Sequence, residues 1–199
     1  MISENAVLEN AVLLGGDEDK IIVNQILSGQ KELFRLLIKR HERAVYGMGM
    51  SFFRNAEDAA DFTQEVFLKV YQNLSGFEGR SRFSTWIYKI AYNTAINNAT
   101  RRKEYHSLAE DEIVIESDNP ERILLKNLAR DAVLEAIKEL PERFRACVDL
   151  FFFYDQSYNE IEDITGYPVN TIKSHVFRAK KILREKLSAY AGLYQGGFA

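Results

Sequence analysis

Residues 157–187 read SYNEIEDITGYPVNTIKSHVFRAKKILREKL, and this stretch decides the fold. Ser157-Tyr158-Asn159-Glu160 has capping-box form, a hydroxyl for the backbone N–H three residues on and a carboxylate that reaches back. Gly166 and Pro168 punctuate a short turn, and helix resumes at Asn170 or Thr171. A short helix, a turn and a longer helix make a helix-turn-helix. At about 100° per residue, Ile172, Val176, Ala179, Leu183 and Leu187 share one stripe, which must face a core. The opposite face holds Lys173, Ser174, Phe177, Arg178, Lys181 and Arg184, with His175 on the flank. Such a face suits a major groove, where Arg and Lys reach guanine edges or phosphates and apolar groups touch thymine methyls. It equally describes a solvated amphipathic helix with Phe177 tucked against a neighbour.

Upstream, Asn119-Pro120-Glu121 is an N-cap with Pro at the first helical position, and the stripe Leu125, Leu128, Ala132, Ala136, Leu140 follows. Pro141 opens a further helix carrying Phe144, Cys147 and Phe151. In the N-terminal half, Ile22, Ile26, Phe34, Leu37, Ile38 and Val45 describe amphipathic helix broken near Ser28-Gly29. Gly47 and Gly49 are expected to loosen it. Asn55 caps a helix whose first turn is acidic and whose apolar stripe is Ala59, Phe62, Val66, Val70, Leu74. That helix ends near Ser75-Gly76, and the loop FEGRSRFS (77–84) leads to another running from Ser84-Thr85 towards Arg101. No convincing strand pair appears.

The 199 residues, 46% hydrophobic and 12% aromatic, are enough to form cores, which excludes disorder throughout. Three prolines and eleven glycines, set among residues that favour helix, point to an all-α chain. The lone Cys147 cannot form an intramolecular disulfide, and no signal segment or long apolar run is present, so the chain is expected to be cytoplasmic, without membrane insertion. The net charge of −3 conceals segregation. Residues 80–103 carry Arg80, Arg82, Lys89, Arg101, Arg102 and Lys103 and no acid, whereas 104–121 is acidic throughout. Residues 170–186 are basic again, with Glu185 the only acid. Two basic surfaces joined by an acidic connector imply more than incidental solvated faces.

The helix after Ser84 places Trp86, Lys89, Asn93 and Asn97 in one arc beside a core side of Ile87, Ala91 and Thr94. An indole among amides and a lysine suits single-stranded DNA, since stacking contributes about 1–3 kcal/mol per base and amides read exposed base edges. The indole can also be a partly buried core residue. Asp61, Gln64 and Glu65 project away from the Phe62, Val66, Val70 stripe, either solvated or docking another protein's helix.

The string DFTQEVFLKVYQNLSGFEGRSRFSTWIYKIAYNTAI (61–96) closely resembles region two of bacterial extracytoplasmic-function sigma factors. LPERFRACVDLFFFYDQSYNEIEDITGYPVNTIKSHVFRAKKIL (140–183) resembles their region four. The resemblance implies two small helical domains, a region-two bundle at 20–103 and a region-four helix-turn-helix at 120–190, joined by an acidic flexible linker at 104–119. A tail is expected on each side, 1–19 and 191–199. It implies core RNA polymerase as partner through Asp61, Gln64, Glu65, Phe67 and Leu68. Phe77, Arg80, Arg82, Ser84, Thr85, Trp86, Lys89, Asn93, Asn97, Arg101 and Arg102 match the surface that melts and holds the non-template strand of the minus-ten element. Thr171, Lys173, Ser174, His175, Phe177, Arg178 and Lys181 match the helix that reads the minus-thirty-five element as duplex. Family habit adds an anti-sigma partner.

Three positions depart from the family pattern. Asn97 replaces a usual acid, Asn98 a bulkier apolar residue, and His175 an Arg. If His175 faces a phosphate, DNA affinity should strengthen as pH falls through the imidazole range near 6.5. Other classes remain in play: a sigma mimic that occupies an anti-sigma partner without binding DNA, a stand-alone helix-turn-helix regulator, and an enzyme. Against the last, His41, His106 and His175 are dispersed and no phosphate-cradling loop is present, so no catalytic, metal or cofactor site is expected.

Overall fold

The computed structural model describes residues 18–105 and 132–195, with side chains described over 18–98 and 132–188. Every regular element among the described residues is helical. The chain divides into two compact units, the first built by the helices before the connector and grouped with the short segment Asp163–Thr165, the second by the remaining helices after the connector. The connector, the Asn119-Pro120 cap and Leu125 and Leu128 lie outside the described residues.

In the first unit, α1 (Glu18–Leu27) buries Ile22, Val23 and Ile26. It stops at Gly29, whose φ of +115° favours glycine. A 3₁₀ turn at Lys31–Leu33 then leads into α2 (Phe34–Phe53), which buries Leu37, His41, Val45, Met48 and Gly49. The expected loosening at Gly47 and Gly49 does not occur. A Cβ at Gly49 would sit 2.8 Å from Phe62 Cδ1 and 3.0 Å from Ala59 Cα, so the missing side chain allows close packing of α2 on α3 (Ala56–Gln72). Tertiary packing outweighs the propensity cost of about 1 kcal/mol.

Asn55 caps α3 as expected, its side-chain oxygen accepting from the Glu57 and Asp58 amides at 2.8 and 3.0 Å. Ala59, Phe62, Val66, Phe67 and Val70 turn inward. A 3₁₀ turn (Leu74–Gly76) and the loop after it lead to α4 (Phe83–Tyr105), which buries Phe83, Ile87 and Ala91 completely.

The second unit begins for description with α5, helical over 132–138. α6 (Glu142–Val148) follows Pro141 and widens into a π turn, Asp149–Phe153, that the sequence did not announce. Ser157 and Glu160 form the expected capping box of α7 (Tyr158–Thr165), and Gly166 ends it in the left-handed conformation at φ +74°. α8 (Val169–Gln195) packs Ala179 with Leu140, Phe144 and Val148, and Ile182 and Leu183 lie against them. Burying each large side chain contributes about 1.5–3 kcal/mol, and with Ile161, Ile164, Ile172 and Val176 also buried the turn between α7 and α8 is fixed from beneath.

Candidate nucleic-acid and polymerase interfaces

On α8, Ile172, Val176 and Ala179 are buried, and this orients the opposite side outward. Lys173, Phe177, Arg178 and Lys181 are exposed, Phe177 at 71%, while Thr171 and Ser174 are half-buried. Phe177 is therefore not tucked against a neighbour. Lys180, part of the basic block though not of the face plotted from the sequence, adds an exposed cation, its Nζ 5.0 Å from the Phe152 ring centroid; Lys173 Nζ stands 5.8 Å from that of Tyr158. The π turn leaves Phe152 and Phe153 exposed, at 51% and 57%. No local pattern marked them, because a π turn changes the period that a helical plot assumes.

His175 requires correction. Its ring lies between Phe144 and Tyr167, at centroid distances of 5.1 and 5.4 Å, and Nδ1 is 3.7 Å from Cys147 Sγ. The ring is half-buried against these side chains on the flank of the helix, set back from the exposed cations. Burial first, then Arg143 and Arg178, lower the imidazole below its ordinary value of 6.5. Burial likewise pushes the Cys147 thiol up to about 12, which leaves it a small packed hydrophobe.

On α4, Lys89, Asn93 and Asn97 are exposed along one face and Trp86 is half-buried above them. The indole leans on Phe77 and Phe83, at centroid distances of 5.5 and 5.6 Å, and Phe77 meets Phe83 edge-on at 5.3 Å. One side of the indole thus rests on the core and the rest is accessible. Arg80 pairs with Glu78 and is exposed, as is Arg82; Ser84 is half-buried. Phe77 and Thr85 are corrections, since both are buried and so support the surface instead of touching a ligand. Helix α4 also carries Arg101 and Arg102, whose side chains lie outside the described residues.

On α3, Asp61 and Gln64 are exposed and Leu68 is 57% exposed. Phe67 is a third correction: its ring is buried, because it lies next to Val66 on the inward side and meets Phe34 edge-on at 6.4 Å. Tyr71, one helical turn after Leu68, takes its place as an accessible aromatic, 5.0 Å from the Phe34 ring. Glu65 is half-buried, paired with Lys69 at 2.7 Å and accepting from Asn98 Nδ2 at 2.8 Å. Lys69 in turn donates to Thr94 Oγ1 at 3.2 Å. The unusual Asn98 is thus a tie between α3 and α4. Among the described residues no group of three His, Cys, Asp or Glu is placed to hold a metal, and no helix is long and apolar enough to cross a membrane.

Residues 37–105 match the family model of sigma-70 region 2, and residues 130–183 that of sigma-70 region 4. The chain is 33% identical to the RNA polymerase sigma-H factor of Pseudomonas aeruginosa over 186 residues, 88% of this chain and 96% of the relative. It is 33% identical to the ECF RNA polymerase sigma-E factor of Escherichia coli over 180 residues, covering 85% and 94%. Among solved structures, CnrH in complex with the cytosolic domain of CnrY superposes with a TM-score of 0.64 at 23% identity, covering 86% of this chain and 97% of that one. The sigma factor RpoE of Bartonella quintana, in complex with the anti-sigma factor NepR, gives 0.66 at 21%, covering 78% and 96%. At those identities the solved structures speak for the fold.

Proposed function

Because the chain belongs to the extracytoplasmic-function sigma factors of the sigma-70 family, we propose that its two helical units divide promoter recognition between duplex and melted DNA. The region-four unit, assigned to 120–190, reads the minus-thirty-five element in the major groove through Lys173, Ser174, Phe177, Arg178 and Lys181, with Thr171 at the start of the helix. The region-two unit, assigned to 20–103, holds the opened minus-ten strand. Trp86 stacks on a base, Asn93 and Asn97 meet base edges, and Lys89, Arg80, Arg82, Arg101 and Arg102 approach phosphates. Asp61, Gln64 and Leu68, with Tyr71 beside them, meet core polymerase.

The observation that carries this reading is the outward face of α8, where exposed cations and Phe177 stand opposite buried Ile172, Val176 and Ala179. A mimic that only occupied an anti-sigma protein would have no use for such a face. The family comprises transcription initiation factors that are not enzymes, and no catalytic step is assigned to this chain. A cytoplasmic location and an anti-sigma partner belong to the same proposal, the latter in keeping with the complex in which the Bartonella relative was solved. Binding to isolated DNA should be weak, because each face offers about six phosphate contacts or fewer and the acidic connector opposes them. Polymerase supplies the rest through simultaneous engagement.

Transcription by purified core polymerase on a library of genomic fragments, with and without the full chain, tests the proposal. Initiation at sites sharing two spaced elements is expected only when the chain is present. No initiation anywhere, together with capture of an anti-sigma protein, would favour the mimic.

A further inference from the structure

Behind the face that carries Trp86 lies a polar pair drawn from distant sequence. Asp19, in the first turn of α1, stands with its Oδ2 2.7 Å from His41 Nε2, and its Oδ1 accepts from Arg40 Nη1 at 3.1 Å. Arg40 also pairs with Glu18. Burial alone would raise the Asp19 carboxyl, but the His41 hydrogen bond and charge, followed by Arg40, outweigh it and hold it below its ordinary 3.8. Asp19 is thus an ionised acceptor and Nε2 the donor, which fixes the ring's orientation. The imidazole is 8% exposed, and its centroid lies 5.4 Å from that of Phe83. Phe83 is fully buried and is the ring on which both Phe77 and Trp86 rest. The next residue of α1 also reaches this region. The end of the Lys20 side chain lies over Gly79, within 2.6 Å of where a Cβ there would be, and Gly79 has φ +70° in the loop before α4.

We propose that Asp19 and His41 are positioning residues for Trp86. The carboxylate orients the imidazole, the imidazole seats Phe83, and Phe83 with Phe77 sets the plane in which the indole meets an unpaired base, while Lys20 steadies the loop. This rests on reading Trp86 as a base-stacking residue. A salt bridge serving only stability would be replaceable by any packing that keeps α1 on α2. A positioning pair makes strand opening depend on a hydrogen bond that touches neither DNA nor polymerase.

Trp86 is the chain's only tryptophan, so fluorescence excited at the red edge, where the ten tyrosines do not absorb, reports it alone. In the full chain, Asp19→Ala should raise acrylamide quenching of Trp86 about twofold and slow promoter opening by core polymerase about tenfold, the loss of roughly one base-stacking interaction. Binding to polymerase and protection of the upstream element should stay unchanged, all at temperatures well below unfolding. Asp19→Asn keeps an oxygen to accept from Nε2 and should restore most of the opening rate. If Asp19→Ala does not fold, His41→Gln retains a donor but no ring against Phe83, and it should show the same two defects. Wild-type quenching and opening in these variants, with only a lowered melting temperature, overturns the positioning role. Trp86→Ala tells the two ideas apart. If it impairs opening while Asp19→Ala does not, positioning alone is wrong; if it opens normally, the stacking reading fails and the positioning role with it.

Discussion

The exposed faces of α4 and α8 are built on opposite plans. Over 84–98 the α4 face carries one cation, Lys89, with the amides of Asn93 and Asn97 and an indole seated on buried aromatic rings. The α8 face carries Lys173, Arg178, Lys180, Lys181 and Arg184 over an aliphatic stripe of Ile172, Val176 and Ala179. Amides and π-faces gain from contact with unpaired bases, and cations on a stiff rod gain from a groove lined with phosphates. Two helices of one chain thus show that the backing of a face, as much as its charge, decides which form of DNA it fits.

The largest effect should come from the cationic face. Lys173→Ala with Arg178→Ala is expected to lower promoter occupancy by polymerase roughly ten- to hundredfold, at about 1–3 kcal/mol for a base contact, and to reduce the salt dependence of binding. Quantitative footprinting across a salt series measures both. An equal loss on promoters lacking the upstream element would break the distinction between the faces. Next comes Trp86→Ala, expected to leave upstream protection intact and reduce opening about tenfold, read by permanganate reactivity. Gly49→Ala should destabilise the first unit by about 1–3 kcal/mol through overpacking against Phe62 and Ala59. Thermal unfolding followed by Trp86 fluorescence would show it, and an unchanged melting temperature would count against the close approach of α2 and α3.

The smallest effect separates the units by acid response. His175 has a lowered folded value, so its contribution to stability is present above 6.5 and is lost as pH falls through that lowered value. The Asp19 contribution, also from a lowered folded value, is present above 3.8 and is lost only as pH falls below that. On acidification the second unit should therefore loosen first, its helical signal fading while Trp86 emission holds. His175→Phe should remove the early phase. Because His175 faces Phe144 and Tyr167, promoter affinity should not strengthen near pH 6.5.

What was legible in the sequence was local. The Asn55 cap, the Ser157–Glu160 box, the Gly166 stop and the core stripe of α8 are encoded within a turn or two, where spacing and side-chain chemistry determine the outcome. What was not legible depends on partners far along the chain. Gly49 is read as a helix breaker until Phe62 and Ala59 meet it. Phe67, Phe77 and Thr85 match surface positions by resemblance, yet neighbours across the bundle bury them. His175 needed Phe144 and Tyr167 to show its direction. The Asp19–His41 pair spans 22 positions and belongs to no periodicity. The π turn after α6 shifts the register by which Phe152 and Phe153 would have been assigned.

Parallel footprinting and permanganate mapping on one promoter, using core polymerase with the full chain or its variants, test the division of labour most directly. Trp86→Ala should protect the upstream element as the unaltered chain does while the minus-ten region opens about tenfold less, and Lys173→Ala with Arg178→Ala should lose the upstream protection. Opening by Trp86→Ala at the unaltered rate, or full upstream protection by the double variant, would contradict it.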